Sequence, residues 1–225
     1  MYKIVKKWIP KNSHILDLGC GDGSMLLELK KELNINGLGV DISEKNIQLS
    51  LSKGLNVIEQ DIDQGLSNFG DQSFDLVLMS QSIQALKRPD LALSEIIRIG
   101  KECIVSIPNF ANFKCRLQLF LTGKMPVSSA LPHSWYSTPN LHLCSLKDFE
   151  SLCEASHKDS KSFKEHKCRL GVEYHECGKA EETGIFPVKK SCNLHLKLAK
   201  LGILTIHSLP ILIISDKAKS GLFNA

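Results

Sequence analysis

No run of 18 clean apolar residues occurs in the 225-residue chain, so no membrane-spanning helix is expected. The eight cysteines include no C-x-x-C pair; with no export signal beside them, they read as reduced thiols in a reducing compartment. The opening residues, Met1 to Pro10, have neither an apolar h-region nor a cleavage site. No signal peptide is therefore expected, and the sequence assigns the protein to the cytoplasm. A charge excess of one sign is missing from most of the chain. Residues 1–150 carry 16 Lys and Arg against 16 Asp and Glu, and the net charge of +4 comes from residues 151–225, with 12 against 8. A neutral body lacks the basic face with which proteins bind nucleic acid. No internal repeat is present, and a composition that is 43% hydrophobic and 23% charged excludes collagenous and wholly disordered classes.

What is present is an alternation. Short β-rich runs at His14–Leu18, Gly37–Ile42, Asn56–Gln60, Phe74–Met79 and Cys103–Ile107 are separated by helical patterns at Met25–Leu33, Asn46–Lys53 and Leu91–Ile99. Strands alternating with helices predict βαβ units, hence an α/β protein with a mostly parallel central sheet and helices on both faces. After Pro108 the pattern changes. Asn109–Leu121 predicts a helix bearing Lys114 and Arg116, and residues 122–140 form a long irregular segment with three prolines. Loops of that length inside a domain are usually functional or disordered. The apolar content here, including Met125, Val127, Trp135 and Tyr136, predicts a packed lid over residues 109–144. A last helix is expected over Ser145–Cys153. Beyond it, residues 154–225 read as a basic and apolar segment of uncertain structure.

The chemistry concentrates in Ile15-Leu-Asp-Leu-Gly-Cys-Gly-Asp-Gly23, a D-x-G-x-G-x-G pattern at the end of the first predicted strand and the start of a helix. Open α/β sheets bind ligands at that place, and glycines let backbone approach a ligand closely. A dinucleotide fingerprint would instead run G-x-G-x-x-G over a pyrophosphate. Here the spacing differs, and acids at Asp17 and Asp22 would repel phosphate. A positively charged adenosine without phosphate fits better, and S-adenosylmethionine is such a ligand. Its candidate contacts are Asp17, Gly19, Cys20, Gly21 and Gly23 in the loop; Asp41, with Ile42, for the ribose hydroxyls; Asp61 and Ile62 for the adenine; and Ser80 and Gln81 near the methyl.

Several further segments are more specific. They include Asn56–Asp63, Asp71–Leu78, Ser80–Leu86 and Arg88–Asp90. The most distinctive are Ser106-Ile-Pro-Asn-Phe110, Cys115–Leu119, Gly123–Val127, Leu131–Asn140 and His142–Cys144. On these the chain resembles the methionine biosynthesis protein MetW family over about residues 1–153. The resemblance implies a Rossmann-like class I methyltransferase fold with a lid inserted after the fifth strand. It also implies a role in methionine biosynthesis as the partner of a homoserine O-acyltransferase whose activity the protein supports. The runner-up is a working small-molecule methyltransferase. Transfer from a sulfonium needs mainly positioning, with a general base only where the acceptor must lose a proton. Candidates for that base are His133, Tyr136, His142 and Asn109, and the bland alternative is that the two histidines simply hydrogen-bond the lid. No N-P-P-Y-type motif marks an amine acceptor. The pairs His166/Cys168, His175/Cys177 and Cys192/His195 lack zinc-knuckle spacing, so no metal is assigned. The family's closing strands are not recognisable after Ala155.

Overall fold

Five apolar runs that read as buried on both faces line up side by side in the computed structural model, which describes residues 2–127, 132–159, 171–176 and 208–215. Strands β1 (His14–Leu18), β2 (Asn36–Asp41), β3 (Asn56–Glu59), β4 (Phe74–Ser80) and β5 (Gly100–Ser106) pair in parallel. Helices α1 (Tyr2–Val5), α2 (Ser24–Leu33), α3 (Glu44–Ser52) and α4 (Pro89–Ile99) come from the segments before and between them, and α5 (Phe113–Thr122) and α6 (Leu146–Asp159) follow. The fold is that of a class I methyltransferase, as expected.

Alternate side chains divide the core in two, as the period of a strand requires. Ile15 of β1, Leu76 and Leu78 of β4 and Ile104 of β5 pack with Val5, Ile9 and the α2 residues Leu26 and Leu29. Leu16 and Leu18, Val77 and Met79, and Cys103 and Val105 pack on the opposite side with Leu93, Ile96 and Ile97 of α4 and Phe149 and Cys153 of α6. Each such side chain contributes about 1.5–3 kcal/mol on burial, so a sheet covered on both sides is self-sufficient. Helix α4 starts with Pro89 in its first turn, where a missing N–H costs nothing. Its last turn carries Arg98, whose guanidinium donates to Glu95, to Asp71 and to the carbonyls of Leu66 and Phe69, pinning the β3–β4 connection.

Two segments within residues 154–225, whose structure the sequence left undecided, join the sheet: β6 (Gly171–Glu176) and β7 (Ser208–Ser215) complete it in the order β3-β2-β1-β4-β5-β7-β6. Strand β7 runs antiparallel to both neighbours. Part of the apolar run at 201–214 is thus a strand with a partner on each side. Pro210 sits beyond Ile211, where pairing with β5 ends, so its absent N–H interrupts nothing on that side.

The lid also differs from expectation. Helix α5 begins at Phe113 rather than Asn109, because Asn112 is its cap: the side-chain oxygen accepts from the Cys115 N–H at 3.0 Å. The aromatic residues of the lid do not pack inward. Trp135 is 72% exposed and Tyr136 75%, their rings edge to face with centroids 5.6 Å apart.

Candidate functional site

The strand order reverses between β1 and β4, and in an open α/β sheet the crevice at that point is where ligands bind. Three loops meet there, each at the carboxyl end of its strand. The glycine loop after β1 is held by Gly19 and Cys20, whose N–H groups donate to the Val40 carbonyl at 2.8 and 3.0 Å. Gly19, Gly21 and Gly23 all adopt left-handed backbone, with φ of 74°, 58° and 71°, which favours glycine. Their surroundings differ. A Cβ at Gly19 would collide with Ser82 Oγ, and one at Gly23 would come within 2.5 Å of Leu55 and 2.6 Å of Ser50. A Cβ at Gly21 would meet nothing within 4 Å. Gly19 and Gly23 therefore serve packing, and Gly21 lines open space.

Two carboxylates stand behind this loop. Asp41, at the end of β2, accepts from the Gly21 N–H at 2.8 Å through one oxygen and from the Ser43 N–H (2.8 Å) and Asn46 Nδ2 (3.3 Å) through the other. It ties the loop to the start of α3 and, with about four acceptor positions on an ionised carboxylate, keeps one for a ligand hydroxyl. Asp17 is 2% exposed, and its Oδ1 is buried without a hydrogen-bond partner among the described residues. Burial, reinforced by the nearby Asp41 charge, pushes its carboxyl up to about 7. The same burial, with the charges of Asp17 and Asp41, pushes the Cys20 thiol up to about 12, so Cys20 is an inert packing group. Beside them Ile42 is an apolar side chain 63% exposed at the mouth of the loop.

Asp61 follows β3 and turns inward on its own loop, accepting from the Asp63 N–H (3.0 Å) and Gln64 Nε2 (3.2 Å). Ile62 is partly buried against the core. Ser80 ends β4 with its hydroxyl 3.5 Å from Ser106 Oγ, and the Gln81 N–H donates to Ser106 at 3.0–3.1 Å. Gln81 holds φ at 55°, an uncommon conformation for a residue with a side chain. Two residues that sequence reasoning left without a role complete this corner. Ser82 donates to the Ser80 carbonyl (3.0 Å) and the Gly19 carbonyl (3.4 Å). Gln84 is buried; its Nε2 donates to the Gln81 carbonyl at 2.7 Å, and its main-chain carbonyl accepts from the Leu141 and His142 N–H groups. Their signal lay in Ser80–Leu86, a segment whose interior polar residues have no reason to be apolar or charged in a plain turn.

One sequence argument fails. Asp22 does not face the site as a free charge: Lys53 Nζ lies 2.7 Å from its carboxylate and 2.6 Å from its carbonyl, holding the carboxyl down at about 2. The loop's anionic character therefore rests on Asp41, with Asp17 adding to it only once its proton leaves near pH 7. The candidate bases are not gathered. His133 lines a shallow open cleft with Phe110, Met125 and Trp135. Tyr136 stands against Trp135 in solvent, and His142 is exposed, held through its backbone to Gln84. Asn109 is buried, its side-chain oxygen accepting from the Ala111 (3.1 Å) and Leu146 (3.4 Å) N–H groups, so it closes the lid rather than facing a substrate. His166, Cys168, Cys177, Cys192 and His195 lie outside the described residues.

Comparison with known proteins gives a consistent neighbourhood. A family model described as methionine biosynthesis protein MetW matches residues 1–186. A bifunctional methionine biosynthesis protein MetXA/MetW of Rhodopirellula baltica is 31% identical over 153 residues, 64% of this chain but 25% of that protein. The chain thus spans a quarter of the length of that relative. Among solved structures, a SAM-dependent methyltransferase of Thermotoga maritima, described as a possible histamine N-methyltransferase, aligns with a TM-score of 0.62 at 18% identity, covering 96% of this chain and 87% of that one. A SAM-dependent methyltransferase of Archaeoglobus fulgidus gives 0.61 at 19%, covering 96% and 95%. At such identities the structures speak for the fold alone.

Proposed function

The chain belongs to the methionine biosynthesis protein MetW family, and from that premise we propose that it binds S-adenosylmethionine at the glycine loop and supports the activity of a homoserine O-acyltransferase. The observation that carries the partner reading is the relative in which MetXA and MetW form one bifunctional polypeptide. Two units joined in one chain sit at high effective concentration; in separate chains the same cooperation needs a binding surface.

The residues at the switch point fit the cofactor. Gly21 leaves room for backbone approach, Asp41 keeps an acceptor for a ribose hydroxyl, and Ile42 offers an apolar surface to the adenosine. Asp17, buried with an orphaned oxygen, gains a partner if a cationic ammonium group comes within reach. Bound there, S-adenosylmethionine would supply a methyl group already activated on positive sulfur. Asp61, Ser80 and Gln81 border the same crevice as candidate contacts. His133, Tyr136 and His142 stand at separate exposed positions, so no shared general base is assigned to them. No helix among the described residues is long and apolar enough to cross a membrane, in keeping with a cytoplasmic partner.

The test is co-purification of this chain with the homoserine O-acyltransferase of the same cell, assayed with and without S-adenosylmethionine. A stable complex with raised acyltransferase activity supports the proposal, and a cofactor effect on that activity separates sensing from scaffolding. Absence of complex and activation, with methyl transfer to a small molecule, would replace it by the methyltransferase reading.

A further inference from the structure

Residues 103–147 contain four cations, Lys114, Arg116, Lys124 and Lys147, and no Asp or Glu at all. The same stretch contains α5, an amphipathic helix facing the wrong way for a folded domain. Of its ten residues only Cys115 is buried. Phe113, Leu117, Phe120 and Leu121 recur at i, i+4, i+7 and i+8, the spacing of a single helix face, and all four are exposed, Phe120 at 85%. At about 100° per residue, Lys114 and Arg116 fall on either side of this stripe. Just past the helix end, Met125 shares a cleft with Trp135, itself exposed beside Tyr136.

Exposed apolar residues occurring singly are ordinary, whereas a stripe of them rimmed by polar groups marks an interaction surface. At the roughly 150–250 Å2 an aromatic side chain can bury, the stripe with Trp135 and Tyr136 supplies area on the order of the ~800 Å2 that one partner contributes to a standard protein interface.

We propose that the outward stripe of α5, together with Trp135 and Tyr136, is the face on which the acyltransferase docks, and that it receives an apolar groove of that enzyme. The proposal rests on the partner reading above and adds where and by what chemistry the two chains meet. The Leu141 and His142 N–H groups donate to the Gln84 main-chain carbonyl, and the Gln84 side chain in turn holds Gln81, so this corner joins the lid to the cofactor crevice.

The experiment measures binding of the purified acyltransferase to the full chain and to two variants on separate segments, Phe120→Glu/Leu121→Glu and Trp135→Ser/Tyr136→Ser. Far-UV circular dichroism and S-adenosylmethionine affinity report that each variant is folded with its crevice intact. Both variants should weaken the complex at least about 30-fold, as expected of interface hot spots, with cofactor affinity unchanged. If the wild type forms the complex and both folded variants bind equally well, the docking face is wrong while the partner reading stands. If the wild type forms no complex, the partner reading fails and this inference with it. A parallel sedimentation with phosphatidylglycerol vesicles is expected to leave the protein in the supernatant; wild-type binding that the variants lose would make the occupant a lipid surface and overturn the proposal.

Discussion

Replacing Asp17 by Asn should flatten the pH dependence of stability and loosen the hold on S-adenosylmethionine. Burial raises the Asp17 carboxyl from 3.8 to about 7 in the folded protein. In the unfolded chain the proton leaves at the lower value, and in the fold it stays until near the higher one. Between the two the folded state binds more protons, so stability falls as pH rises through that window. At about 1.4 kcal/mol per pH unit, raising the pH from about 5 to about 8 costs the wild type on the order of 2.7 kcal/mol through this one group, with the full loss reached above about pH 7. Asn carries no proton to lose. Its amide differs from a carboxylic acid in packing and hydrogen bonding, but that difference does not depend on pH and cancels when each protein is compared with itself. Urea unfolding of both proteins at about pH 5 and about pH 8 gives the quantity directly. The wild type should lose on the order of 2–3 kcal/mol more than Asp17→Asn between the two conditions. Parallel losses, within about half a kcal/mol, would refute the argument, because they would mean that Asp17 ionises in the fold as easily as in the unfolded chain. Calorimetric titration supplies the second half of the test. Losing one charge-assisted contact should weaken S-adenosylmethionine binding by about 10-fold or more near neutral pH; unchanged affinity would remove Asp17 from the binding set.

Other substitutions separate packing from binding in the same loop. Gly21→Ala should fold with a penalty of about 1–2 kcal/mol from its left-handed backbone and lose cofactor affinity, whereas Gly19→Ala, which drives a methyl into Ser82, should fall further in thermal midpoint. A larger loss at Gly21 than at Gly19 would contradict the geometry. Arg98→Ala removes charge-assisted hydrogen bonds to two carbonyls and two carboxylates. It should cost about 2–3 kcal/mol in urea unfolding while leaving cofactor affinity intact. Asn109→Ala removes the acceptor that joins Ala111 to Leu146. It should lower stability by about 1 kcal/mol and speed proteolysis within residues 110–144; an unchanged cleavage pattern would show that the lid is held elsewhere.

Much of this protein was legible as a string of letters. The alternation of apolar runs with helical spacing determined the five parallel strands and the helices between them, since burial on both faces imposes period and composition locally. The D-x-G-x-G-x-G pattern and Asp41 marked the crevice, because left-handed backbone and a strand-end carboxylate leave their trace within a few residues. Other features depend on groups far apart in sequence. Nothing around Asp22 announces that Lys53, 31 residues on, neutralises it, or that Asp17 ends in a place where its proton stays on. Strand β7 pairs with β5 about a hundred residues earlier in the chain, a distance over which no local pattern can act. The lid shows the division most plainly. Its apolar letters predict burial, yet only the packed domain decides which apolar residues find a core. With both faces of the sheet covered by other segments, the stripe of α5 and the Trp135–Tyr136 pair are left on the surface among the described residues, because burial is decided by which segments reach the sheet first in space, not by apolar letters alone.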